Sequence, residues 1–219
     1  MTPAPPARPC RPHITPTSSG QFRMRIAGLA SLPPLMLLLA IAGCGHDPVS
    51  AWKKIEITDI DGKTWAPVQA WGTRVSVYFF LGPACPAVER CIPEIRRLHD
   101  HFSTNGVTFW MIHPDPEDTT EVVRERARKW MLPGVVIRDP QHRLVRLAGA
   151  RTWPEAVVVN TAGQVIYQGR MDDRFITPDQ ERPEPYHRDL HEALMAACQD
   201  RPVANPRTAP VGCPIPEIR

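Results

Sequence analysis

Six cysteines, at positions 10, 44, 85, 91, 198 and 213, carry most of the chemistry open to this 219-residue chain. Cys85 is the one whose surroundings favour reaction. It follows a β-branched and aromatic run at 74–81 and the chain-breaking Gly82-Pro83-Ala84. It precedes Pro86 and the helical spacing of Val88, Ile92, Ile95, His99 and Phe102. A strand ending in a cysteine at a helix start puts the thiol where unpaired N–H groups and the helix dipole favour a thiolate. A thiolate is a nucleophile and a soft metal ligand, so redox or metal chemistry is implied. Pro86 suits the first helical position, where its missing N–H costs nothing. A buried structural cysteine is the bland alternative. It fits poorly at the C-terminal end of a strand, where α/β sheets place their sites.

The elements that must position Cys85 follow from periodicity. Residues 55–60 alternate apolar and polar and end at Asp61-Gly62, a hairpin entry. The strand at 74–81 and a helix over 86–102 precede a second apolar run at 107–112. Asp118 is expected to cap a helix to Met131, with Val123, Ala127 and Trp130 on one face and Glu125 paired with Lys129. A third strand at 135–137 and a short helix at 142–148 come next. Strands at 155–160 and 164–168 flank Thr161-Ala162-Gly163, a hairpin signature. A last helix spans 187–198, with Cys198 on or beside its apolar stripe. Residues 199–219 are a tail with five prolines. Alternating strands and helices followed by a hairpin and a helix predict an α/β fold: a central mixed sheet covered by helices on both faces.

The first 43 residues are not expected to belong to that fold. Residues 35–42 form an apolar stretch far short of the roughly 20 residues that span a bilayer. They end in Ile41-Ala42-Gly43-Cys44, which resembles the lipobox of bacterial lipoproteins. The resemblance implies cleavage before Cys44, lipidation of its sulfur and acylation of the new amine. Several acyl chains anchor stably where one binds only marginally. An ordinary secretory signal with an incidental cysteine is the alternative. Residues 1–23 are Pro-rich without an acid, and Met24-Arg25 would open a normal signal peptide alone, so Met24 is the expected start. The expected divisions are 1–43 as extension and signal peptide, 44–52 as a lipidated tether, 53–198 as the domain and 199–219 as the tail. Gly45, unlike an inner-membrane-retaining Asp, slightly favours the outer membrane, with the domain on the periplasmic face of the envelope. Loss of 1–43 removes four arginines and no acid, leaving 176 residues with 22 basic and 23 acidic side chains. That length suits one domain. Its balance of charge argues against nucleic-acid binding.

The order of strand, cysteine at a helix start, βα unit and Thr152-Trp153-Pro154 before an antiparallel hairpin resembles the thioredoxin fold. Within that fold it resembles the redoxin (AhpC/TSA-like) branch, over about residues 49–197. The segments FFLGPACPAVERCIPEIRRLHDHF, WPEAVVVNTAGQVIYQGRMDDR and VGCPI resemble a group of uncharacterised bacterial redoxin-domain proteins. The resemblance implies a thiol–disulfide oxidoreductase with antioxidant activity. Cys85 is its nucleophile, a protein or small-molecule thiol or disulfide its partner, and no cofactor or metal is required. It also implies that Pro154 is a cis-proline, with the Trp153 backbone turned toward the thiolate as a substrate-docking edge.

A thioredoxin-type Cys-x-x-Cys would place its second cysteine at Val88, so that arrangement does not carry over, and Cys91 and Cys213 are the candidate resolving thiols. On an intact helix Cys91 lies about 9 Å along and about 120° around from Cys85. A disulfide takes Cα atoms roughly 4.4–6.8 Å apart, so this pairing requires the first turns to unwind. Helix packing is the other reading of Cys91. Cys213 can be delivered by a flexible tail without breaking secondary structure. Closing a loop of roughly 128 residues opposes that bond only logarithmically. An inert tail thiol is the other reading there.

Two alternatives to this function were weighed. The family's peroxidatic motif has Thr or Ser three residues before the cysteine and Pro seven before. This chain has Gly82 and Tyr78, which leaves at most a weak peroxidase. A Sco-like copper chaperone is the non-enzymatic alternative, since soft thiolates suit Cu(I). That family spaces its cysteines Cys-x-x-x-Cys, and His113 is the available nitrogen at the end of the second long strand. His99 and His101 take surface or packing roles. Asp172-Asp173-Arg174 forms a surface turn or the rim of a site.

Overall fold

The computed structural model describes residues 48–68, 72–83 and 85–218. Cys10, Met24, the apolar stretch and Cys44 lie outside the described residues. The chain runs α1 (Pro48–Lys54), β1 (Ile57–Thr58), β2 (Thr64–Trp65), β3 (Val75–Phe80), α2 (Pro86–Phe102), β4 (Val107–His113), α3 (Thr120–Lys129) and β5 (Val135–Arg138). It continues with α4 (Arg143–Ala148), β6 (Thr152–Trp153), β7 (Glu155–Asn160), β8 (Val165–Gly169), β9 (Phe175–Thr177), β10 (Gln180–Glu181), α5 (Asp189–Cys198) and β11 (Cys213–Pro214). None of the described helices is long and apolar enough to cross a membrane.

Five strands form the central sheet in the order β5-β4-β3-β7-β8. β3, β4 and β5 are parallel, and β7 and β8 run antiparallel to them. β3 is buried at every position because the sheet is covered on both faces, which is why its sequence is continuously apolar rather than alternating. Tyr78, Phe80, Trp110, Ile112, Val157 and Val159 point to one face, where Trp52 of α1 and Leu144 and Val145 of α4 complete the core. On the other face Phe79 stacks on Phe109 at 6.0 Å, and His99 of α2 sits edge-on to Phe109 at 5.1 Å. Phe102 of α2 meets His191 of α5 there. The expected mixed sheet between two helical layers is the observed one.

Three expectations need correction. Residues 48–52, read as part of a tether, are the start of α1, because Trp52 is fully buried against Tyr78 with ring centroids 4.7 Å apart. The cap of α3 is Thr119, whose hydroxyl accepts from Val122 N at 3.3 Å, while Asp118 turns to pair with Arg126. The tail is no loose appendage. Gln168 N donates to the Pro206 carbonyl at 2.9 Å and Thr208 N donates to the Gln168 carbonyl at 3.0 Å, so residues 206–208 lie along β8. At the opposite edge of the sheet Ile60 N donates to Val136 O at 3.1 Å, and Asp59 bridges Ile137.

Because Trp52 fills the core from α1, Trp52→Ala is expected to cost about 3–5 kcal/mol. Urea unfolding measures it. A loss below about 0.5 kcal/mol, typical of a surface change, would return residues 48–54 to the status of a tether.

Candidate active site at Cys85

β3 carries the chain to the site, and Leu81 N continues the ladder by donating to Ile112 O at 2.9 Å. Cys85 then takes the N-cap of α2 with extended backbone (φ −106°, ψ 120°), and Pro86 opens the helix. Val88 N donates to the Cys85 carbonyl at 3.0 Å. The sulfur makes no capping hydrogen bond of its own, so α2 acts on it through its dipole.

The Trp153–Pro154 peptide is cis. Trp153 is buried, and its indole lies directly over Gly82: a Cβ there would stand 2.0 Å from Trp153 Cδ2. Gly82 occupies the position, three residues before Cys85, at which the peroxidatic motif carries a hydroxyl. The indole fills that space, so glycine is required and no hydroxyl fits.

The tail reaches the same place. β11 pairs antiparallel with β6, with Cys213 opposite Trp153 and Pro214 opposite Thr152. Ile215 N donates to Arg151 O at 2.9 Å. Gly212 passes so close to the loop that a Cβ would lie 2.2 Å from Trp153 O and 3.0 Å from Pro154 Cδ. This register sets Cys213 beside Cys85, near enough for the two thiols to influence each other electrostatically. Burial and the neighbouring Cys85 together push the Cys213 thiol up to about 11. Cys85 itself is only 4% exposed. Beside it, the tail segment around Gly212 and Cys213 lies against the Trp153–Pro154 loop.

A buried carboxylate holds both partners of this pairing. Glu155 Oε2 accepts from Arg151 N at 3.0 Å and Thr152 N at 3.2 Å, and its Oε1 accepts from Gln168 Nε2 at 2.7 Å. Gln168 in turn accepts from the Arg207 guanidinium of the tail. Sequence reasoning missed these three residues. The one signal for them was a charged side chain at the head of the apolar run EAVVVN, since acids are almost never fully buried unless paired. The β9–β10 hairpin, also unforeseen, is clamped to the first turns of α2. Arg90 donates to the carbonyls of Pro178 and Asp179, and Arg174 donates to Arg90 O at 2.8 Å.

Cys91 sits apart from this pairing. Its thiol donates to Val88 O at 3.0 Å within an unbroken α2, and burial pushes it well above the ordinary thiol range. It lines a small pocket with Glu94, Pro154, Asp172, Arg174 and Val211, so Asp172 and Arg174 form part of that pocket's wall, while Asp173 turns to accept from Tyr186 N and His187 N. Cys198 is buried in α5. His113 is fully buried, and burial with the nearby Arg126 lowers it to about 3, so it is neutral. Among the described residues no three His, Cys, Asp or Glu side chains cluster so as to hold a metal ion.

A cysteine at the end of a central strand, capping a helix beside a cis-proline loop, defines a thioredoxin-like protein. The chain matches the model of the AhpC/TSA family over residues 50–168 and belongs to that family. Comparison with curated protein sequences gives no match. Among solved structures the fold is similar to an uncharacterised conserved protein of Geobacillus kaustophilus. The TM-score is 0.65 at 22% identity, covering 75% of this chain and 88% of that one. It is also similar to a hypothetical protein of Sinorhizobium meliloti 1021, with TM-score 0.64 at 18% identity, covering 74% and 89%. A third likeness is to a secreted Mycobacterium tuberculosis disulfide oxidoreductase homologous to E. coli DsbE. There the TM-score is 0.50 at 15% identity, covering 66% and 97%.

In the reduced protein Cys213 stays a thiol through neutral pH, and only its thiolate reacts. Its alkylation by iodoacetamide, followed by peptide mass spectrometry, is expected to rise about tenfold per pH unit from pH 7 towards a midpoint near 11. A plateau already at pH 9 would show that burial and the neighbouring Cys85 do not raise the Cys213 thiol.

Proposed function

We propose that the protein is an exported, lipid-anchored thiol–disulfide oxidoreductase in which Cys85 attacks and Cys213 resolves. One observation carries this reading: a second thiol, beside Cys85, rides on a strand paired with the Trp153 edge. The Cys85 thiolate attacks one sulfur of a substrate disulfide. A bond forms between that sulfur and Cys85 Sγ, and the other sulfur leaves as a thiolate and takes up a proton. Cys213 then gives up its proton and attacks Cys85 Sγ. The Cys85–Cys213 disulfide forms and the second substrate sulfur leaves as a thiol. The substrate has gained two electrons and two protons: the protein pair supplies both electrons and the Cys213 proton, and solvent supplies the second proton, which it took up when Cys85 ionised. A dithiol donor restores the pair by the same exchange in reverse.

The donor set of the site supports no other chemistry as well. The indole over Gly82 leaves no hydroxyl to orient a peroxide. Cys91 would reach Cys85 only by unwinding α2, whereas Cys213 lies beside it with α2 intact. The substrate class is a protein or small-molecule disulfide or thiol. Tethering through Cys44 to the envelope, facing the periplasm, rests on the Ile41-Ala42-Gly43-Cys44 sequence.

Incubated with glutathione disulfide, Cys213→Ser is expected to hold one glutathione on Cys85. The parent protein is expected to release it and close the Cys85–Cys213 disulfide. Intact-mass and peptide mapping read both. Absence of any adduct on Cys85, or an adduct equally stable in the two proteins, would refute the assignment. For the anchor, metabolic labelling with a radioactive fatty acid is expected to mark the parent and not Cys44→Ser. Equal labelling would refute lipidation at Cys44.

A further inference from the structure

We propose that residues 211–215 act as a tethered pseudosubstrate, a strap whose backbone occupies the polypeptide-docking edge beside Cys85 and must lift before another chain can dock. This rests on Cys85 being the attacking sulfur. The edge of β6 next to an attacking cysteine is the surface on which an extended polypeptide can add as a strand. Here it is taken. Cys213 stands opposite Trp153, Pro214 opposite Thr152, and Ile215 N donates to Arg151 O. The strap even presents a sulfur beside Cys85, where the sulfur of a docked substrate would sit. Ile215 anchors its far end against the core cluster that includes Trp52 and Tyr78.

The fit is specific to the strap's sequence. Gly212 is the residue of closest approach, and any side chain there meets the Trp153 carbonyl oxygen. A segment of the same register with a bulkier residue before its cysteine could not lie down on the edge. The two halves of the tail also differ in attachment. Residues 206–208 are bonded to β8, and Arg207 to Gln168, so the strap beyond Thr208 can lift while this root stays fixed. The docked strap leaves Cys85 4% exposed, so reaction is limited to the fraction of molecules in which it has lifted.

The test compares the parent with two full-chain variants, Gly212→Val, which blocks the close approach, and Ile215→Asp, which removes the partly buried anchor. Both keep Cys85 and Cys213. Exchange of Cys85 with glutathione disulfide is expected to be at least about tenfold faster in both variants, as follows if the strap is lifted in a tenth of parent molecules or fewer. A synthetic peptide of residues 208–217 carrying Cys213→Ser is expected to slow the variants back towards the parent rate. The same peptide with Gly212→Val added is expected not to. Equal rates in the parent and both variants would overturn the strap while leaving the Cys85 chemistry intact. Faster variants that the peptide cannot slow would overturn its role as a pseudosubstrate. No exchange at Cys85 in any of the three proteins would instead refute the oxidoreductase reading on which the strap depends.

Discussion

The geometry of the site depends on one buried carboxylate. Glu155 gives its two oxygens to the backbone N–H groups of Arg151 and Thr152 and to the Gln168 side chain, and Gln168 holds Arg207 of the tail. An acid in a sheet interior is tolerated only when its hydrogen bonds are complete, and here three donors meet it. The result is a polar chain from β6 through β7 and β8 to residue 207. It fixes the loop that carries Trp153 and the root of the segment that carries Cys213 in a single frame. Removal of the carboxylate would take the acceptor from the Arg151 and Thr152 N–H groups and separate the loop from the tail.

Packing enforces the same arrangement from the other side. Trp153 covers Gly82 and Gly212 passes under Trp153, so two glycines flank one indole-bearing residue at van der Waals contact. The first glycine lets the loop close over the end of β3, and the second lets the tail close over the loop. Neither is a hinge. Both are absences of a side chain at places where backbone or ring already fills the space.

Much of this was legible from residue order. The run at 74–81, the helix at 86–102 and the hairpin around Thr161-Ala162-Gly163 announce themselves by composition and period, because burial on one or two faces writes directly into sequence. Cys85 was legible for the same reason, as the residue where one period stops and another starts. The position of Cys213 was not. Its strand is two residues long, lies in a Pro-rich segment and is held by a partner about 60 residues earlier, and no local pattern encodes such a pairing. Glu155 and Arg207 were illegible for a related reason: their meaning lies in a chain of hydrogen bonds linking three separate segments. Trp52 misled because seven residues of helix beside a signal-like leader look like linker unless one knows the pocket that the ring fills.

The mixed sheet ends at two strands, β5 and β8, and each has a free side on which foreign chains could in principle add. Asp59 and Ile60 close one, and residues 206–208 close the other. Open sheet margins invite self-association, and natural proteins shield them. The root of the tail is thus a guard against fibrillar growth as well as a mooring. Lifting of the segment beyond Thr208 would leave this margin covered, because residues 206–208 keep their own bonds to β8.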